Sequence, residues 1–261
     1  MSDGVSFIRR GERGEPILFL HGIGAGAAFW EPQLASFGAT DRAIAWNTPG
    51  YGGSPPLPEL TFPALVTALL GLMDRLELDS AHVVGHSFGG MVAQELVATA
   101  PSRVRSLVLS ATSPAFGRRD GAWQREFVAR RLEPLDAGRT MAELAAEVVH
   151  EMVGDDPDPA GVEHFVACMG RVPAASYRAA VEALTTFDRR EDLSRISAPT
   201  LVIAGEKDTS APAAVMERMA GGISGARYVC LPGVGHIANL ERPAAFDGVV
   251  REFLKARSKG G

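Results

Sequence analysis

The hexapeptide Gly85-His86-Ser87-Phe88-Gly89-Gly90 constrains this chain more than any other feature. A Gly-x-Ser-x-Gly pattern sets its serine on a strained turn between a buried strand and a helix. The flanks supply both elements, with Ala81-His82-Val83-Val84 running in and Met91-Val92-Ala93-Gln94-Glu95-Leu96-Val97 running out. Glycine is required at 85 and 89 because strand and helix approach so closely at such an elbow that a side chain there would collide.

Around the elbow, short apolar runs alternate with longer helical patterns. The runs are 16–20, 43–46, 81–84, 104–109, 199–204 and 227–231. Strands that alternate with helices imply a mostly parallel sheet. Leu65, Val66, Leu69, Met73 and Leu76 recur at helical spacing and predict an amphipathic crossover helix; Phe246, Val249, Val250 and Phe253 predict another at the C-terminal end. The rhythm stops between Ser113 and Pro199, where helical patterns continue without a convincing strand, punctuated by Gly117, Pro134, 154–157 and Pro173. The expected organisation is a core domain over 1–112 and 198–261 with a helical cap over 113–197. Bulky apolar residues inside that stretch can form the cap's own small core or face the serine; Trp123, Phe127, Met152 and, from the later loop, Ile237 are the candidates for lining a pocket.

At 261 residues and 46% apolar composition, the chain is long enough to bury one large core. Its 26 Lys and Arg against 31 Asp and Glu leave no basic surplus for nucleic acid or an anionic membrane surface. The polar N-terminal segment and the lack of about 18 consecutive apolar residues argue against secretion and membrane insertion. Two cysteines, Cys168 and Cys230, are too few for a disulfide framework and lack metal-ligand spacing, so reduced thiols in a cytoplasmic protein are expected. The expected protein is a monomer or homodimer with a small-molecule partner.

A serine hydroxyl is a weak nucleophile near neutral pH and needs a general base, which in turn needs a group to hold its tautomer. Of six histidines, His236 lies in a Gly-rich loop, Leu231-Pro232-Gly233-Val234-Gly235-His236, just past the last expected strand, and is the best base candidate. Structural roles fit His82 and His86 better, while His150 and His164 fall in the cap. For the acid, Gly205-Glu206-Lys207-Asp208 follows another strand; Asp208 is preferred, with Glu206 the competitor. Backbone N–H groups of Phe88 and, in the loop His21-Gly22-Ile23-Gly24-Ala25-Gly26, of Ile23 are the expected donors to an oxyanion. That loop lacks the Lys-Ser/Thr and the glycine spacing of nucleotide-binding loops. No metal and no cofactor are expected.

Together these motifs resemble the α/β-hydrolase superfamily: His-Gly at 21–22, Thr48-Pro49-Gly50-Tyr51-Gly52-Gly53-Ser54 after a strand, the serine elbow, Gly-Glu-Lys-Asp, and Gly-His near the end. The resemblance spans almost the whole chain. It implies an α/β-hydrolase fold, a mostly parallel doubly wound sheet with a helical cap inserted after the sixth strand, and the order Ser87, Asp208, His236 for a catalytic triad. More narrowly, residues 89–94, 199–205 and 236–243 resemble 3-oxoadipate enol-lactonases and their relatives. The first loop departs from the Ser-Asn-Ser-Leu-Gly type expected there, which leaves the substrate open.

What the resemblance implies is a serine hydrolase of a small carboxylic ester or lactone, acting through an acyl-enzyme. Haloalkane dehalogenases and epoxide hydrolases of this fold use an aspartate where Ser87 stands and are set aside. Carbon-carbon bond hydrolases of aromatic breakdown and cofactor-free perhydrolases keep the serine and remain alternatives, as does a non-catalytic ligand sensor. Arg125, Arg130, Arg131, Arg171 and Arg178 in the cap are candidates to pair with a substrate carboxylate, although arginines there are more often solvated.

Overall fold

The computed structural model describes residues 4–117 and 121–258. Seven strands form one sheet: β1 (Phe7–Arg10), β2 (Pro16–Leu20), β3 (Arg42–Trp46), β4 (Ala81–His86), β5 (Val104–Ser110), β6 (Thr200–Gly205) and β7 (Arg227–Leu231), in the spatial order β1-β3-β2-β4-β5-β6-β7. All pairings are parallel except that of β1 with β3. The inner parallel strands β2, β4, β5 and β6 bury both faces, which is why their sequences read as mostly apolar runs, whereas the edge strand β7 stays partly exposed.

Alternation along the strands divides the core in two. Ile17, Phe19, Val84, Val108, Leu201 and Ile203 point to one face, where they meet α1 (Glu31–Phe37) and, at the far end of the chain, the helix Pro243–Ser258. Leu18, Leu20, Val83, Leu107, Leu109 and Val202 point to the other, covered by α2 (Phe62–Arg75) and α3 (Phe88–Thr99). The α2 start is set by Thr61, whose hydroxyl accepts the Ala64 N–H, with Pro63 in the first turn.

Between β5 and β6 come α4 (Ala122–Asp136), α5 (Met141–Met152), α6 (Pro159–Gly170) and α7 (Ala174–Leu184). Their caps are written locally: Thr140 and Glu143 close a capping box on α5, and Asp158 accepts the Ala160 N–H at the start of α6. The remaining α-helices are α8 (Ala213–Gly221), which packs on β6 and β7 on the same face as α2 and α3, the short α9 (Ala238–Glu241), and α10 (Pro243–Ser258).

Three details differ from the sequence expectation. β1 was not foreseen, because Phe7-Ile8-Arg9-Arg10 is a half-exposed antiparallel edge strand with no buried alternation. The helical insertion follows the fifth strand rather than the sixth, since a single strand, β1, precedes β2 among the described residues. Pro134 does not break a helix at once; it lies inside α4, which gives up one N–H bond there and ends two residues later at Asp136.

The chain leaves β2 to form β3 on one side and returns to form β4 on the other. The crevice between the C-terminal ends of β2 and β4 is therefore a topological switch point, where open α/β sheets place ligands.

Candidate active site

Ser87 occupies the turn between β4 and α3 with φ 52° and ψ −118°, a backbone that an L-residue adopts only under constraint. The constraint is visible on both sides. The Ser87 N–H donates to the Ser110 carbonyl (2.9 Å), and its own carbonyl accepts the Thr112 hydroxyl (2.8 Å). A Cβ at Gly85 would stand 2.5 Å from the Gly89 oxygen, and one at Gly89 would run into the backbone carbonyl of Leu20, so both positions exclude any side chain. The half-buried Ser87 hydroxyl has no hydrogen-bond partner among the described residues and lines a cavity of about 610 Å³.

His236 and Asp208 are brought together beside it. His236 Nδ1 lies 2.8 Å from Asp208 Oδ2, and both side chains are buried. Asp208 Oδ1 accepts the N–H groups of Ser210 (2.8 Å) and Ala211 (2.9 Å). Burial pushes the Asp208 carboxyl up, but the His236 charge and hydrogen bond together with those two N–H groups outweigh it, so its pKa lies below the ordinary value. A carboxylate at Nδ1 selects the tautomer that carries its proton there, which leaves Nε2 with a free lone pair. Glu206 instead is exposed and accepts the Gly233 N–H (2.8 Å), bracing the histidine loop.

The other side of the cavity is the loop after β2. His21 is fully buried; its Nδ1 pairs with the Gly22 carbonyl (2.8 Å) and its Nε2 accepts the Thr48 N–H (3.0 Å), which fixes a neutral ring. Burial lowers its pKa to about 4. The Tyr51 hydroxyl donates to the Ile23 carbonyl (2.9 Å) and steadies the next residue. Among the described residues neither the Ile23 N–H nor the Phe88 N–H has a protein acceptor. The Phe88 N–H also belongs to the first turn of α3, the positive end of the helix dipole.

Of the remaining histidines, His82 bonds Ser106 (2.8 Å) and His164 bonds the Ala28 carbonyl (2.7 Å). His150 is exposed at the cavity rim. His86 stacks on Phe29 and meets the His236 ring at a centroid distance of 4.9 Å. Burial, reinforced by the neighbouring His236 and His21 and opposed by Asp208, holds His86 well below its ordinary pKa, so no second cation stands beside His236. Trp123, Phe127, Met152 and Ile237 all line the cavity. Of the five arginines singled out, Arg130 and Arg131 line it; Arg178 pairs with Asp136 on the outside (2.6 Å). Among the described residues no group of three His, Cys, Asp or Glu side chains is placed to hold a metal ion.

One residue of the site escaped the sequence reading. Glu241 is buried, and its carboxylate accepts N–H bonds from Gly235 (3.0 and 3.1 Å), next to His236, and from Gly154 (2.7 Å), in the loop between α5 and α6. The His236 N–H donates to the Met152 carbonyl (2.7 Å) in the same seam. The only signal for it was a carboxylate directly after the short, mostly apolar run Ile237-Ala238-Asn239-Leu240.

A family model described as the alpha/beta hydrolase fold matches residues 15–243. A Variovorax paradoxus protein named for carbamate hydrolysis is 32% identical, the match covering 95% of this chain and 94% of that one. The 3-oxoadipate enol-lactonase 2 of Acinetobacter baylyi is 30% identical over 92% of this chain and 88% of its own. The crystal structure of an enol-lactonase from Burkholderia xenovorans LB400 superimposes with a TM-score of 0.84, at 29% identity and 96% coverage of both chains.

Proposed function

Because the chain belongs to the α/β-hydrolase fold family, we propose that it is a serine hydrolase that cleaves a small carboxylic ester or lactone through an acyl-enzyme. The observation that carries the proposal is the convergence on one cavity of a strained, unbonded serine and a histidine whose tautomer is held by a buried carboxylate.

In this reading Ser87 Oγ attacks the substrate carbonyl carbon and its proton passes to His236 Nε2. Asp208 orients the ring and stabilises the imidazolium. The carbonyl oxygen becomes an oxyanion received by the N–H groups of Ile23 and Phe88, with the α3 dipole behind the second. His236 then protonates the departing alkoxide, and the acyl-Ser87 ester is hydrolysed by a water that loses its proton to the same nitrogen. Trp123, Phe127, Met152 and Ile237 would contact the substrate's apolar part. We assign the cap to residues 113–197 on the same basis, since its helices supply the opposite wall of the cavity. The lack of a basic surplus supports a protein with no nucleic-acid partner, and the free Cys168 and Cys230 support a cytoplasmic one. Among the described residues no helix is long and apolar enough to cross a membrane.

The test is hydrolysis of short-chain p-nitrophenyl and methyl esters and of five- and six-membered lactones by the wild type and by Ser87→Ala. Turnover lost in the variant supports the reading. A folded wild type inert to every ester and lactone contradicts it and moves carbon-carbon cleavage ahead.

A further inference from the structure

The segment Thr48-Pro49-Gly50-Tyr51-Gly52-Gly53-Ser54 plays no part in the reaction as described, yet it bonds both to the loop after β2 and to the helical insertion. Tyr51 is buried to 1% exposure with its ring against His21, the centroids 5.1 Å apart. A phenylalanine would fill the same volume, and a buried phenol is costly unless its hydroxyl is bonded. The hydroxyl reaches two backbone carbonyls, that of Ile23 at 2.9 Å and that of Ser176, in the first turn of α7, at 3.3 Å. It holds a single proton, so the two carbonyls share one donor. Burial and the neighbouring Tyr177 raise its pKa, so the phenol keeps that proton across the neutral range.

The proposed reaction assigns the Ile23 N–H to the oxyanion, and a peptide N–H points where its plane is held. That plane carries the Gly22 carbonyl, which pairs with His21 Nδ1 (2.8 Å); His21 Nε2 in turn accepts the Thr48 N–H (3.0 Å). The next plane carries the Ile23 carbonyl and is held by Tyr51. Both anchors therefore start from residues 48–51, and that segment is itself seated against α7. The Ser176 hydroxyl donates to the Gly50 carbonyl (2.7 Å), and Gly50, at φ 89°, leaves the room, since a Cβ there would stand 2.7 Å from Ser176 Oγ. We infer that Tyr51 is a positioning residue for the oxyanion hole, one that ties the orientation of Ile23 to the seating of α7. The inference rests on the hydrolase reading of the cavity.

The experiment measures p-nitrophenyl butyrate hydrolysis and inhibition by a short alkyl trifluoromethyl ketone in the wild type, Tyr51→Phe, Ser176→Ala and the double variant. Ser87 Oγ adds to the ketone carbon, its proton passes to His236 Nε2, and the ketone oxygen becomes the anion that the hole receives. Tyr51→Phe is expected to lower kcat and kcat/KM together by about 10- to 100-fold, to weaken ketone binding by the same factor, and to leave KM within about twofold. Ser176→Ala should act in the same direction by a smaller factor and add nothing in the Tyr51→Phe background. A hydroxyl that only satisfies its loop would lower the melting temperature and leave kcat and ketone affinity unchanged, overturning the inference with the hydrolase reading intact. Losses that simply add in the double variant overturn the tie to α7. Should Tyr51→Phe not fold, Ser176→Ala decides alone, and an unchanged kcat and ketone affinity overturn the inference. If the wild type neither cleaves the ester nor binds the ketone, the hydrolase reading fails and the inference falls with it.

Discussion

Replacing Asp208 by Asn isolates the tautomer argument, because the structure dictates how the new amide must sit. Asp208 Oδ1 accepts two backbone N–H bonds, from Ser210 and Ala211 at 2.8 and 2.9 Å, and only an oxygen can stay there. The amide nitrogen is therefore forced into the Oδ2 position, 2.8 Å from His236 Nδ1. A donor facing Nδ1 obliges that nitrogen to accept, which moves the ring proton to Nε2 and removes the lone pair that would take the Ser87 proton. Reversal of the tautomer in a serine triad costs roughly 10³- to 10⁴-fold in kcat, or about 4–5.5 kcal/mol at about 1.4 kcal/mol per factor of ten. Steady-state hydrolysis of a p-nitrophenyl ester by Asp208→Asn near pH 7.5, with circular dichroism to confirm folding, measures it. A kcat within about tenfold of wild type, alongside an inactive His236→Ala, would show that Asp208 does not set the histidine and refute the reasoning.

Other consequences are equally specific. His21 is buried as the neutral ring with its pKa lowered to about 4 from 6.5, so the unfolded chain binds a proton that the folded one refuses. The stability this confers is complete above about pH 6.5 and is lost as pH falls toward 4, by about 3 kcal/mol; urea melts across that range should show a shallower slope in His21→Gln. Gly89→Ala drives a methyl group into the Leu20 carbonyl and should destabilise by about 1–3 kcal/mol with loss of activity, whereas unchanged melting would mean the elbow has room to relax. Glu241→Ala strips acceptors from the Gly154 and Gly235 N–H groups and should cost about 2–3 kcal/mol in chemical denaturation while lowering kcat through a loosened His236 loop; a silent variant would show that water replaces the carboxylate.

The parts that were legible in the sequence are those where local pattern and structure are dictated by the same physics. β2, β4, β5 and β6 are largely buried on both faces and had to be written as mostly apolar runs, and Ser87 had to be flanked by glycines because nothing larger fits against Leu20 and Gly90. Asp208 and His236 could be picked out because each follows a glycine at the end of a strand, where the sheet presents its loops. The burial of Arg131 was not legible: an arginine in a helical pattern reads as solvated, and its neighbour Tyr177 arrives from α7, a separate helix. Glu241 was hidden for the same reason, since its partners Gly154 and Gly235 lie in two loops that only the fold brings together. β1 escaped because an edge strand need bury only a little of its surface.

The claim on which the rest depends is that Ser87 is a nucleophile activated by its surroundings. Intact-protein and peptide mass spectrometry after treatment with a serine-directed fluorophosphonate tests it without knowledge of the substrate. One phosphonyl group on the Ser87 peptide, absent in Ser87→Ala and formed much more slowly in Asp208→Asn, is the predicted result. A folded wild type that stays unlabelled at Ser87, or that labels as readily when Ser87 is replaced, would contradict it.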